Sequence, residues 1–134
     1  MTPIQALLGF TGWTLLLVAA VLLYRGLRFL SGTPINSWPR GAKPTADPTF
    51  MRRLEDAHAN CLENLPVFAV IVLAAAALGK TALIAPLAAW VLYARLGQSL
   101  VHLLGTGSLL VLVRATFWSA QLALFFWMLW VLVA

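Results

Sequence analysis

The sequence predicts an all-α membrane protein: a bundle of four transmembrane helices forming one domain over residues 1–134. Three observations carry this expectation. Of the 134 residues, 62% are hydrophobic and 10% charged, against roughly 45–50% and about 25% in soluble domains. Four apolar stretches follow one another, each long enough for the 20 or so residues that cross a bilayer. Segments rich in glycine and proline separate them. The same composition excludes disorder, which needs low hydrophobicity and high charge. It also leaves no room for a separate soluble catalytic domain, so any chemistry must be built from the helices and one loop.

The first helix is expected at about 4–30. Its run from Ile4 to Tyr24 holds no charge, and Arg25 and Arg28 mark the approach of its end. A loop at 31–47 follows, read from its breakers Gly32, Pro34, Pro39, Gly41 and Pro44. Asp47-Pro48 resembles a helix start, with aspartate as N-cap and proline at the first helical position. The second helix is then expected at about 48–78. At 1.5 Å per residue it is roughly 45 Å long, more than the bilayer core, so its first turns should protrude on the loop side. Pro66 inside it is a candidate kink, because proline removes one backbone hydrogen bond. Gly79-Lys80-Thr81 makes a tight turn into a third helix at about 82–104. Gly105-Thr106-Gly107 makes the next, and Ser108 is the expected cap of a last helix at about 108–133.

Charge fixes orientation and removes other function classes. The net charge of +5 comes from nine Lys+Arg against four Asp+Glu. Its basic residues are spread along helix ends, which argues for membrane orientation and an anionic small ligand and against a nucleic-acid partner. Arg25, Arg28, Arg40, Lys43, Arg52 and Arg53 flank or lie in the long loop, whereas the opposite side has only Lys80. The excess of positive charge places the long loop in the cytoplasm and both termini on the far side. A bacterial inner membrane is the expected location. The lone cysteine, Cys61, supports no intrachain disulfide and no Cys-x-x-Cys motif, and no metal site is expected. The N-terminus lacks the basic start and short apolar core of a signal peptide.

Polar groups inside spans are costly unless paired, so their spacing is informative. On the second helix Arg53, Asp56, Asn60 and Glu63 step by three, four and three, which keeps them within an arc of roughly 80°. On the third, Arg95, Gln98 and His102 repeat the three-then-four step. On the fourth, Arg114 and Gln121 lie seven apart with Trp118 between them. All three stripes lie in the loop-bearing half of their helices. They suit a small net-anionic ligand that also carries an amine. Each residue has a structural alternative as well. Arginines at helix ends can snorkel to headgroups; Glu63 can simply pair with Arg95 or Arg114; Asn60, Gln98 and His102 can be interhelical hydrogen-bond partners.

The segment Arg53-Leu-Glu-Asp-Ala-His-Ala-Asn60-Cys-Leu-Glu63-Asn-Leu-Pro66-Val-Phe68 resembles the second-helix signature of the MAPEG family. These are membrane-associated proteins of eicosanoid and glutathione metabolism. The four spans, the long first loop and the arginine of the fourth span agree, so the resemblance covers nearly the whole chain. It implies a homotrimer that binds glutathione, as co-substrate, between subunits near the cytoplasmic face. It implies that Arg53, Asn60, Glu63 and Arg95, with Arg25 or Arg28 at the end of the first helix, belong to the glutathione site, and that Arg114 stabilises the thiolate catalytically; the polar stripe of the third helix adds Gln98 and His102 to that site. The second substrate implied is a hydrophobic electrophile or lipid. Departures from the pattern are equally legible. Asp56 stands where several members have a second arginine, Asn64 where some have tyrosine, and Gln98 and His102 where a third-helix tyrosine is common.

Three functions follow from these readings. The leading one is a glutathione-dependent transferase or peroxidase acting on hydrophobic electrophiles. The second is a non-catalytic lipid-binding or scaffold protein of the same fold. The third is a small proton-coupled exporter built around Glu63.

Overall fold

The computed structural model describes residues 1–39 and 47–134. Four long helices make up almost all of them: α1 Pro3–Leu30, α2 Thr49–Ala77, α3 Thr81–Leu104 and α4 Ser108–Val133. A single 3-10 turn, Ile35–Ser37, lies in the first loop, and no strand occurs among the described residues. The four helices are each long and apolar enough to cross a membrane. Arg40, Gly41, Lys43 and Pro44 of the expected loop lie outside the described residues.

Local chemistry sets the helix ends. Thr2 caps α1: its hydroxyl accepts from the Gln5 amide at 3.2 Å while Gln5 Oε1 accepts from the Thr2 amide at 2.8 Å. This reciprocal pair satisfies two of the donors that every helix start leaves open, and Pro3 follows at a position that needs no donor. At the other end of α2, Gly79 adopts φ +67, a region that favours glycine. There the Lys80 amide reaches the Ala75 carbonyl at 2.8 Å and the Gly79 amide reaches Ala76 at 3.1 Å, closing the last turn. α2 runs through Pro66 without a break.

Two expected caps are corrected. Pro48, not Asp47, is the residue that precedes the first turn of α2, and it offers no side-chain cap. The Asp47 carboxylate is taken by tertiary partners instead: Tyr24 Oη donates to it at 2.9 Å and Trp38 Nε1 at 3.1 Å. Ser108 is the first residue of α4 rather than its cap, a position held by Gly107. Both shifts are of one residue, within which helix ends fray.

The helices run alternately up and down, α3 packing against α4 and α2, and α1 against α2 and α3. Phe10, Phe68 and Phe125 join α1, α2 and α4 through ring contacts of 5.8 and 6.0 Å between centroids. Such offset pairs add to the burial of their large apolar surface. Lipid-facing positions read differently: Leu22, Trp90, Phe126, Trp130 and many other large apolar side chains are exposed, as a bilayer solvent permits. The helical hydroxyls of Thr11, Thr14 and Thr116 bond back to carbonyls four residues earlier at 2.9 Å, leaving no open donor toward lipid. Within α4 only Gln121, Phe125, Met128 and Leu132 are buried.

Candidate functional site

The long loop, the start of α2, the end of α3 and the start of α4 lie at one end of the bundle. Here α2, α3 and α4 enclose a polar groove. It consists of two adjoining hollows, of about 330 Å³ and about 250 Å³. Both are lined by Asn60, Glu63 and Arg114. The outer one adds Asp56, Ala59, His102 and Thr106, and the inner one Gln98, Val111, Ala115 and Trp118. Small-molecule sites commonly span about 300–1,000 Å³.

Periodicity explains how three helices aim polar side chains into one place. Asp56, Asn60 and Glu63 recur at intervals of four and three along α2, so they stand on one side of it. Gln98 and His102 are one turn apart on α3. Arg114 and Trp118 are one turn apart on α4. Asn60 Nδ2 and His102 Nδ1 lie 3.3 Å apart across the α2–α3 seam. Since the amide nitrogen can only donate, Nδ1 is the accepting nitrogen of the ring. Glu63 forms no ion pair among the described residues, so the expected pairing with Arg95 or Arg114 is not made within this chain. Arg114 is half-buried on the groove wall.

Five of the eight residues picked from sequence therefore meet: Asn60, Glu63, Gln98, His102 and Arg114. Three do not line this groove. Arg28 is exposed in the last turn of α1, a helix that does not border the groove. Arg53 spends its Nε on the Leu103 carbonyl at 3.0 Å, closing the C-terminal end of α3. Arg95 is fully buried behind the groove, its guanidinium carbon 5.3 Å from the centre of the Phe10 ring. Its Nε donates to Gln121 Oε1 at 3.1 Å, and Gln121 Nε2 donates to Gln98 Oε1 at 2.7 Å. Gln121 thus lies on the Arg114 side of α4 but two turns further along, where it is buried against α3. Cys61 is buried with its sulfur 3.7 Å from Ser99 Oγ.

Beside the groove the first loop is tied down. Arg25 Nη2 and Glu55 Oε1 form an ion pair at 2.7 Å, and the same guanidinium lies 5.9 Å from the centre of the Trp38 ring. Trp38 was not singled out from sequence. Its partners Asp47 and Arg25 lie 9 and 13 residues away, and no local motif announces them.

The sequence that builds these four membrane helices, with a polar groove at the loop end carrying the asparagine and glutamate of α2 and the arginine of α4, has a match among known families. The model of the MAPEG family matches residues 4–134, essentially the whole chain. The chain belongs to the MAPEG family. Neither a curated protein nor a solved structure shows a comparable match. Membership makes this an integral membrane protein and puts its function, at family level, among membrane glutathione-related transferases, peroxidases and proteins of related function. Within the MAPEG chain the groove gathers two carboxylates, an arginine, two side-chain amides and an imidazole.

Proposed function

We propose that the groove binds glutathione and that the protein is a glutathione-dependent transferase or peroxidase acting on hydrophobic electrophiles. One observation carries the reading: Asn60, Glu63, Gln98, His102 and Arg114, from three helices, converge on one wall-to-wall polar groove at the loop-bearing end. Their chemistry fits the ligand. Glutathione offers two carboxylates, an amine and a thiol. Glu63 and Asp56 suit the amine, and the amides and imidazole suit peptide and carboxylate oxygens.

Arg114 supplies a cation that does not titrate in the physiological range. Beside it the glutathione thiol, ordinarily near a pKa of about 8.5, ionises more readily. The thiol proton passes to water. The thiolate then forms a carbon–sulfur bond with the electrophile, and the leaving group departs with its bonding pair. With a hydroperoxide the thiolate attacks the outer oxygen and releases an alcohol, and a second glutathione completes a disulfide with loss of water. As a homotrimer, neighbouring copies supply the remaining walls, and Arg28 and Arg53 reach a site from there. The cytoplasmic position of the loop completes this reading, since glutathione is drawn from that side.

Calorimetry on purified protein tests it. Saturable heat at millimolar glutathione, with turnover of a model electrophile, is expected; no heat overturns the proposal. A second reading then leads, that of a non-catalytic lipid-binding member. Its own support is an apolar cleft of about 670 Å³ between α3 and α4, lined by Trp90, Tyr93, Phe117 and Trp127 over a floor of alanines. An exporter built on Glu63 is disfavoured, because Glu63 shares its wall with Arg114 and Asn60 at the loop end.

A further inference from the structure

Three side chains form a directed hydrogen-bond chain from the core to the groove. It starts at Arg95, which is fully buried and whose Nη1 and Nη2 have no hydrogen-bond partner among the described residues. Its Nε donates to Gln121 Oε1 at 3.1 Å. Gln121, also fully buried, donates from Nε2 to the Phe117 carbonyl at 3.1 Å and to Gln98 Oε1 at 2.7 Å.

The direction of this chain is forced twice over. Arginine has donors only, so Gln121 must turn its oxygen toward Arg95. The Phe117 carbonyl accepts only, so Gln121 must turn its nitrogen toward Phe117. Both demands select the same amide orientation. The other N–H of Gln121 then meets Gln98, which presents its oxygen inward. The Gln98 Nε2 is the group left over. Gln98 lines the groove beside Asn60, Glu63 and Arg114. No hydrogen bond from its Nε2 is made within the chain among the described residues, and the atom is not sealed in the core. The chain also begins at a buried positive charge whose surroundings include the Phe10 ring, the Gln121 amide and Cys61. Hydrogen bonds in series polarise one another at low dielectric, so the outward N–H carries more positive character than an isolated amide.

We propose that Arg95 and Gln121 are positioning residues that lock the Gln98 amide with its N–H groups toward the groove, making Gln98 an obligatory donor to an anionic or carbonyl oxygen of the ligand. This rests on the reading of the groove as a glutathione site. It changes the role of Arg95 from ligand contact to the source of a relay, and it gives Gln121 a role that sequence spacing had not assigned.

The chain has three glutamines, Gln5, Gln98 and Gln121, so selective side-chain nitrogen labelling of the full-length protein in detergent gives an assignable spectrum. The Gln98 amide protons are expected to exchange with water faster than those of Gln121 and to move on addition of glutathione. Equal protection of the two overturns the orientation. The coupling is tested by Gln121→Glu, whose carboxylate still accepts from Arg95 but cannot donate to Gln98. Glutathione affinity should fall about tenfold, the scale of one hydrogen bond to a charged group. In a Gln98→Ala background the same substitution should change affinity by less than about twofold. Equal effects in both backgrounds overturn the positioning role. Where Gln121→Glu does not fold, Gln98→Glu carries the test. It keeps the bond from Gln121 but places an acceptor in the groove, and it should weaken binding at least as much; unchanged affinity overturns the proposal. If wild-type protein shows the expected exchange but no glutathione binding, the glutathione reading fails while the donor orientation stands.

Discussion

Asn60 Nδ2 and His102 Nδ1 lie 3.3 Å apart, joining α2 to α3 inside the groove. The contact fixes the imidazole as an acceptor at Nδ1 and therefore directs its proton, in the neutral ring, to Nε2. Replacing the amide by an alkyl group of similar size removes the donor without opening a large void. Asn60→Leu should lower stability by about 1 kcal/mol, in the range of interhelical side-chain hydrogen bonds in membranes. Asn60→Gln should not restore it, because the longer side chain cannot keep the distance. Thermal unfolding in detergent, followed by circular dichroism, checks both.

Arg114 separates function from fold. It lines both hollows of the groove and makes no hydrogen bond or ion pair among the described residues. Arg114→Ala should therefore leave the melting temperature close to wild type. Turnover of glutathione with a model electrophile should fall by about 100-fold, the usual effect of removing a group that stabilises developing negative charge. Arg114→Lys should recover part of the rate, since the charge returns without the planar fork. Steady-state kinetics with melting curves on the same preparations distinguish a lost cation from a lost fold.

The fold was legible because apolar runs and breakers depend on the local chain, and both survive into three dimensions. All four helices begin and end within one residue of their expected limits. The capping box at Thr2 and Gln5 went unread although its signature, a threonine followed three residues later by glutamine, is local. Asp47 was not readable, because the partners that draw it from a capping role, Tyr24 and Trp38, are brought to it by tertiary packing. Arg95 shows the limit of spacing. The stripe Arg95-Gln98-His102 spans enough of the α3 circumference for one edge to face the groove and the other to face Phe10 and Gln121. Which edge is buried depends on where α1 and α4 pack, and periodicity within α3 carries no record of that. Gln121 does share a face with Arg114, as its spacing requires, but it lies two turns deeper, where α3 covers it, and the spacing within α4 carries no record of that cover.

Gly97 marks a close approach of α3 and α4. A Cβ built on it would meet Phe117 Cζ at 2.9 Å and Cε1 at 3.0 Å, whereas at Gly12 and Gly26 nothing lies within 4 Å. A phenyl ring in a helix–helix seam cannot withdraw as a flexible chain end does, so Gly97→Ala should destabilise by about 1–3 kcal/mol through overpacking. Gly26→Ala, in the open middle of a helix, should instead be neutral or stabilising by up to about 1 kcal/mol. Opposite signs for the same chemical change, read from melting curves, are the expected result. A Gly97→Ala protein as stable as wild type would show that α3 and α4 are not held this closely.

Lys80 Nζ donates to the Leu132 carbonyl at 2.9 Å, which ties the α2–α3 turn to the end of α4. The turn and the C-terminus therefore share one side of the membrane, and the first loop lies on the other. The distribution of basic residues predicts the direction, with the loop expected in the cytoplasm. The single cysteine makes this testable, since Cys61 is buried and Cys61→Ser supplies a background without thiols. In that background Ala134→Cys should react with a membrane-impermeant maleimide in intact spheroplasts. Ser37→Cys, in the first loop, should react only after permeabilisation. Lys80→Cys should follow Ala134→Cys, at a cost in stability from the lost cap on α4. Labelling of Ser37→Cys in intact spheroplasts would invert the orientation and place the groove on the side away from cytoplasmic glutathione. Labelling of Lys80→Cys and Ala134→Cys from opposite sides would instead break the antiparallel order of the bundle.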